Sequence, residues 1–472
     1  MTELAAKEPA RFPEVFWTAN ITELFERAAF YSIASFVVIY LEELGFGKYW
    51  PSTLNGLLWT IVYFLPILSG TIADQIGYRR ALLIAFVLLS GGYFLLGYPV
   101  WLGGATLAAE AGGQVSAGPA VVVPVLCGLG LVGVGGSFVK PCILGTAQKS
   151  AGSRATLAFA IFYMVVNIGS IVGRIVAFVV RRGKPLSLIF AVATCCALLG
   201  FFVVLSLFRE PAVPSAPSPL AKPKRSVKRI LLDMVLVLRN RRFALFLLVS
   251  SGFYFLYNQV YNVLPLYVKN AVELKPAMEL YTAANPIVIV CFQLLVTKLF
   301  GKMKPIRSII VGIVIIAASM AINLVPLFRA GGIRALSAVG IPLGSLFIVL
   351  TVASIAFAEL FTAARTFEYI GALAPKGQEG LFLGYANLPM AIGSLVGGPV
   401  GAVIFNDVMA RHAREISVVG ADGVPGKLLE LEPLCAAQGW ALLMAVGFAS
   451  VLAMWWFHRL VEREATQDYG GR

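Results

Sequence analysis

The sequence predicts an all-α membrane protein of twelve transmembrane helices arranged as two six-helix bundles, and three observations lead there. The 472 residues are 59% hydrophobic and only 13% charged, with a mean hydropathy of +0.84. A soluble domain averages about 25% charged residues. Twelve apolar stretches recur, each close to the roughly 20 residues a helix needs to cross a bilayer. A segment rich in proline and serine, and then in basic residues, separates the first six stretches from the last six.

The stretches fall at 16–41, 52–73, 80–103, 119–146, 156–181, 187–208, 242–268, 277–300, 305–328, 338–373, 380–406 and 434–459. Only short turns remain between most of them, which leaves no room for a sizeable soluble domain. The start, Met1-Thr-Glu-Leu-Ala-Ala-Lys-Glu-Pro9, is polar and lacks the basic-then-apolar layout of a secretory signal, so the first span is expected to direct insertion. Between spans 2 and 3, Gly70-Thr-Ile-Ala-Asp74-Gln-Ile-Gly77-Tyr-Arg79-Arg80 combines a glycine suited to a sharp turn with an aspartate able to cap or pair at a helix end. Gly128-Leu-Gly130-Leu-Val-Gly133 matches a dinucleotide fingerprint only formally. It lies inside an apolar helix with no preceding strand, where glycines allow close helix packing. Gly169 and Gly173, and likewise Gly393, Gly397 and Gly401, recur every four residues and read the same way. The run Glu210 to Lys224 cannot bury a core and is expected to be a linker. The expected organisation is therefore a bundle over 1–208, a basic cytoplasmic linker over 209–241 and a second bundle over 242–472.

A net charge of +14 would suit a nucleic-acid partner, but the bases do not gather on a folded surface. Lys222, Lys224, Arg225, Lys228 and Arg229 crowd the linker, and Arg79, Arg80, Lys149, Arg154, Lys302, Lys304 and Arg307 fall on loops of the same side. The opposite side has fewer, among them Lys48, Arg181, Arg182, Lys184, Lys269 and Lys275. This asymmetry predicts both termini in the cytoplasm. The six cysteines lack ligand spacing, so neither a disulfide framework nor a metal site is expected. His412 and His458 lie near span ends with no partner in sequence and read as solvated. Signatures of a nucleophilic hydrolase, a zinc protease or an ATP-driven pump are missing, so no catalytic residue and no cofactor is expected.

Charges inside the spans are expensive and carry the functional signal. Glu23, Glu26 and Arg27 share one helical face in the first span. A structural ion pair needs one acid for one base. Here the second acid leaves a surplus negative charge that a single proton would neutralise. Lys140 in span 4 lies several residues inside the boundary, where it can either snorkel outward or face the two glutamates. In span 5, Tyr163, Asn167, Ser170 and Arg174 form a polar stripe that must face protein or water. It could equally bond neighbouring helices. Span 8 carries Asn285-Pro286 and span 10 carries Glu359, and a lone mid-span carboxylate opposite an amide suits an ammonium group. Arg365 and Glu368, three apart, read as a structural pair.

The Glu-x-x-Glu-Arg cluster, followed by Phe30-Tyr31, resembles the first-helix signature of the proton-dependent oligopeptide transporter family of the major facilitator superfamily. The 70–80 segment looks like that superfamily's loop motif. Lys140-Pro141 followed by Gly145 and Gln148 resembles the family's fourth helix, and Phe162-Tyr163-x-x-x-Asn167-x-Gly169-Ser170 its fifth. Asn285-Pro286, and Glu359-Leu360 followed by Leu373-Ala374-Pro375 and Gly384, match its eighth- and tenth-helix spacing. The resemblance implies the major facilitator fold and a proton-coupled symporter importing di- and tripeptides by alternating access. It assigns proton coupling to Glu23, Glu26, Arg27 and Lys140, and the substrate carboxylate to Arg27 and Lys140. Glu359 and Asn285 would take the substrate amino terminus, and Tyr31, Tyr63 and Asn167 its backbone. The expected partners are a small peptide, protons and the lipid bilayer, with no nucleic acid, for a monomer in the cell inner membrane. Two positions depart from the family. Ala34 and Asn258 stand where relatives commonly place an arginine and an acid that can bridge the halves as a gate. Arg174 is outside the family pattern and is a candidate replacement for the missing cation. Two rival readings share the fold: a proton-driven exporter of drugs or metabolites, and a membrane sensor that transports nothing.

Overall fold

The computed structural model describes residues 12–113, 115–151, 154–182, 184–211, 236–374, 382, 384–420, 423 and 425–470. Ten helices among these are long and apolar enough to span a membrane, and two bent pairs bring the number of spans to twelve. The first span is α1, Glu14–Ile33 continuing as Val37–Glu43, and the second is α2, Trp50–Phe64 continuing as Pro66–Ile76. Then follow α3 (Tyr78–Trp101), α4 (Pro119–Ala151), α5 (Ala155–Arg181) and α6 (Leu188–Ser206). After the linker come α7 (Arg241–Asn258), α8 (Met278–Phe300), α9 (Pro305–Ser319) and α10 (Leu343–Leu373). The last are α11 (Leu388–Val403) and α12 (Pro433–Gly470). Most of the linker expected over 209–241, including its Lys222–Arg229 charges, lies outside the described residues, as does Pro375.

The first two spans are not the straight helices expected from hydropathy. α1 bends by 43° and α2 by 44°. In α2 the break falls at Pro66, which has no N–H to give the ladder. In α1 it falls at 34–36, where Ser32 turns its hydroxyl back onto the Ala29 carbonyl at 2.8 Å and competes with the helix's own donors. α7 also runs on irregularly past Asn258, as 3-10, α and π turns to Val272.

Glycines set how closely the helices approach. A Cβ on Gly169 would stand 2.9 Å from the Leu24 carbonyl oxygen, and one on Gly173 would stand 2.2 Å from that of Ala28. α5 therefore lies backbone to backbone against the charged stretch of α1. Gly56 and Gly398 do the same where α2 meets α11, and Gly393 rests on Phe255 of α7. Gly128 packs on the Gly92 carbonyl of α3, and Gly133 on Ile61 of α2. Gly130 has nothing within 4 Å, so the middle glycine of that run is not a packing glycine. Gly77 has φ +91°, a conformation that favours glycine, and it turns the chain from α2 into α3. Beside it, Asp74 accepts a hydrogen bond from the Tyr78 hydroxyl at 2.8 Å.

One element was not anticipated. Between α11 and α12 the chain forms an antiparallel hairpin, β1 (Arg414–Val419) and β2 (Pro425–Glu430), with Arg414 opposite Glu430. It packs against the segment after α7, with Gly426 against Leu274, and lies on the side where α1 ends and α2 begins, here termed the far face.

Candidate functional site

α1 carries its charges in the middle of the bundle, where Glu23, Glu26 and Arg27 are all buried. The Arg27 Nε is 3.3 Å from Glu23 Oε1 and donates a short hydrogen bond to Glu26 Oε2. Glu23 is one helical turn from Arg27, yet the tighter contact is with the adjacent Glu26. One guanidinium nitrogen thus serves two acids. The other Glu26 oxygen and both Glu23 oxygens accept no hydrogen bond from the protein. Buried acceptors are seldom left in that condition.

Lys140 keeps some exposure in mid-span and does not snorkel to a boundary. Its ammonium lies 5.9 Å from the Tyr63 ring centre, in the electrostatic field of Glu23, Glu26 and Glu359. It is not within ion-pairing distance of either α1 glutamate. Across the bundle, the Asn285 amide donates to Glu359 Oε2 at 3.2 Å, which joins the two residues proposed for one role from separate helices. Pro286 follows Asn285 within α8.

Aromatic rings line the space between these groups. The Arg27 guanidinium stands 6.0 Å from the Tyr31 ring centre. Trp59 stacks on Tyr63 at 5.7 Å and on Tyr261 at 4.6 Å. Asn167 spends its amide on the Tyr163 carbonyl of its own helix at 2.9 Å. Tyr31, Tyr163, Lys140 and Glu359 all retain partial exposure despite their mid-span positions.

Ala34 and Asn258 are both buried, and the neutral pair leaves no charge to compensate there. Asn258 donates to Ser394 at 3.1 Å and accepts from Asn262 at 2.5 Å. Asn55 reaches from α2 to the Tyr261 carbonyl at 2.9 Å and to Asn262 at 3.0 Å. Ser35 and Thr282 hydroxyls meet at 2.7 Å.

Nearer the far face the links become charged, and sequence reading missed them. Arg181 of α5 grips Glu279 of α8 through two contacts, Nε–Oε1 at 3.1 Å and Nη2–Oε2 at 3.2 Å. Lys269 pairs with Glu43 at 2.9 Å, Asn270 donates to Glu42 at 3.0 Å, and Tyr49 donates to Asp407 at 2.7 Å. Each joins a residue of the first six spans to one of the last six. Before the fold was known, Arg181 and Lys269 were only positive charges on a loop side that should carry few.

Arg365 and Glu368 do form the expected pair, at 2.6 Å and exposed. His458 is not without a partner, since its Nε2 is 3.3 Å from Glu462 one turn on. His412 is exposed as expected, within 4.8 Å of ligand atoms of Glu432 and Cys435. Arg334 and Arg414 line the same cavity, and their charge opposes a metal cation there.

The comparison with solved structures decides the fold. The crystal structure of the peptide transporter POT in complex with sulfate matches with a TM-score of 0.69 at 17% identity, covering 96% of this chain and 95% of that one. A family model described as Major Facilitator Superfamily matches residues 132–358. This chain shares the fold of that transporter. A structure of a POT family transporter in complex with 5-aminolevulinic acid has the same fold (TM-score 0.66, 16% identity, 94% of this chain and 95% of that one). Among curated relatives, an uncharacterised MFS-type transporter of Mycobacterium tuberculosis is 28% identical over 297 residues, 61% of this chain and 63% of its own length. Dipeptide and tripeptide permease B of Aliivibrio fischeri is 24% identical over 226 residues, 46% of this chain and 41% of its own. The chain thus spans less than two thirds of these relatives. With ten to twelve apolar helices long enough to cross a bilayer among the described residues, it is a multi-pass membrane protein.

Proposed function

We propose that this protein is a proton-coupled symporter that imports small peptides, of two or three residues, by alternating access. The observation that carries the reading is the buried cluster on α1, where two carboxylates share one guanidinium and three carboxylate oxygens accept no hydrogen bond. A proton on Glu23 or Glu26 removes the surplus charge and turns an orphan acceptor into a donor. It also loosens the hold on Arg27. Arg27 and Lys140 then take the substrate carboxylate, while Glu359 and Asn285 on the opposite helices take the ammonium group. Tyr31, Tyr63 and Asn167 contact the backbone between. Proton release restores the internal pairs. The described residues are linked at the far face, so this geometry corresponds to a state closed there. The two six-helix bundles, over 1–208 and 242–472, rock about the α2–α11 and α5–α8 contacts, with the 209–241 linker on the cytoplasmic side.

Supporting this assignment are the fold, the permease relatives and the placement of opposite charges at two ends of one layer. In this reading the protein works as a monomer in the cell inner membrane, and the loop-charge asymmetry supports cytoplasmic termini. Each proton crossing about 100 mV supplies roughly 2.3 kcal/mol, close to a forty-fold accumulation at about 1.4 kcal/mol per decade. The test is uptake of a labelled dipeptide by proteoliposomes, with and without a pH gradient. Accumulation that follows the gradient supports the reading. Exchange of drug-like compounds without any dipeptide flux would replace it with the exporter.

A further inference from the structure

We propose that Arg174 is a second receptor for the substrate carboxylate, in use when the far face is open and occupied by neutral oxygens when it is closed. The assignment rests on the peptide-symport reading above. Arg174 is fully buried, yet among the described residues no carboxylate pairs with it. Its donors go to neutral oxygens instead. Nε donates to the Thr282 hydroxyl at 3.0 Å, Nη2 to the Tyr261 hydroxyl at 3.3 Å, and Nη1 to the Ser170 carbonyl at 3.2 Å and to the Ser170 hydroxyl. A buried cation answered only by dipoles is costly to keep, and removing its hydrogen bonds would leave a site that attracts an anion.

The distribution of these partners gives the state dependence. Ser170 is on α5 itself and stays with Arg174 in any rigid-body motion. Thr282 and Tyr261 belong to the other six spans, so opening the far face withdraws both at once. The donors then released, Nε and Nη2, form one edge of the guanidinium, the fork that accepts a carboxylate through two parallel bonds. The same helix shows that fork in use. Seven residues on, Arg181 binds Glu279 through its own Nε and Nη2. α5 therefore turns two matching arginine edges towards the other half, and only one of them meets a carboxylate.

The position also leads inward. The Tyr31 ring stands 4.5 Å from the Arg174 guanidinium and 6.0 Å from that of Arg27. A substrate carboxylate that enters from the far side and passes Arg181 would meet Arg174 and then Arg27. Arg27 is already claimed by two acids, whereas Arg174 is claimed by none. With Ala34 neutral, Arg174 is a buried cation on that path that no carboxylate claims among the described residues.

The experiment compares full-length wild type with Arg174→Gln, which keeps polar contacts but loses the charge and the fork. Uptake from the far side is measured for a dipeptide and for its C-terminal amide. The expected result is a KM raised roughly tenfold or more for the dipeptide and little changed for the amide, the range for losing a charge-assisted hydrogen-bonded pair. Equal losses for both substrates, or an unchanged dipeptide KM, overturn the assignment. A second variant guards against a folding defect. Thr282→Val with Tyr261→Phe keeps the cation and removes its closed-state acceptors, so dipeptide KM should fall while kcat falls with it. A KM that rises alike for dipeptide and amide would mark Arg174 as structural. Wild-type protein that takes up no dipeptide overturns the symport reading and this assignment together, whereas failure of the Arg174→Gln comparison overturns this assignment alone.

Discussion

Breaking the Arg181–Glu279 pair should open the far face. The Glu279 side chain is 1% exposed and that of Arg181 17%, with both contacts near 3 Å. Removing one partner of a fully buried pair costs about 3–5 kcal/mol, because the other charge is left uncompensated. Since Arg181 keeps some contact with solvent, a discounted cost of about 2–3 kcal/mol is appropriate. The pair joins α5 to α8 across the two halves, so this cost falls on the closed state and is relieved when they part. At about 1.4 kcal/mol per decade, Glu279→Gln should shift the population towards the far-open state by roughly 30- to 150-fold. Ala34 is buried at the α1 bend and is a convenient reporter. In a background without the six native cysteines, Ala34→Cys should react with an impermeant maleimide from the far side faster by that order when Glu279→Gln is added. The double change Arg181→Gln with Glu279→Gln should open less than either single change, as no stranded charge remains. A labelling rate unchanged by Glu279→Gln, or a double variant equal to the sum of the singles, would refute the latch.

Glu26→Gln should abolish gradient-driven accumulation while counterflow of labelled dipeptide continues, because Glu23 and Arg27 alone form a neutral pair with no place for a proton. Full concentrative uptake by that variant would exclude Glu26 as an essential carrier. Glu359→Gln keeps the shape beside Asn285 but removes the charge, so binding of free dipeptides should weaken by roughly tenfold or more and that of N-acetylated ones far less. Equal losses would mean that Glu359 does not read the ammonium group. Ala34→Arg alone should impair folding or transport by burying an uncompensated cation near Arg174, and adding Asn258→Glu should recover part of that loss. Independent, additive effects in the accumulation assay would show that the two positions are not coupled in this chain.

Much of the layer at mid-membrane was legible because intramembrane charge is rare enough to be informative. Glu23, Glu26 and Arg27 could be grouped from helical spacing, since residues three and four apart share a face wherever the helix sits. Asn285 and Glu359 could each be singled out, but their contact could not be derived from residues 74 apart without the family resemblance. Lys140 was identified as buried and functional in type, yet its position over Tyr63 depends on how α4 packs against α2. The far-face links were hidden for a different reason. Arg181, Lys269, Glu43 and Glu279 sit at span ends, where charges are ordinary and carry no signal until their neighbours are known. The β1–β2 hairpin did leave a signal, with Ile416 and Val418 alternating ahead of Asp422-Gly423, but hydropathy windows tuned to helices pass over it.

By itself the sequence determined the number of spans, their apolar character and the sites where charge enters the membrane. These follow from local composition, because the bilayer penalises any polar residue wherever the chain goes afterwards. It also placed the glycines at Gly169, Gly173 and Gly393, although not which backbones they would admit. Tertiary structure alone decided the partners. It divided Arg27 between two acids, gave Arg181 a carboxylate and gave Arg174 only hydroxyls and a carbonyl. Arg174 and Arg181 look alike in sequence. What separates them is which helix lies opposite, and in this fold that depends on how closely small residues let α5 approach α1 and α8.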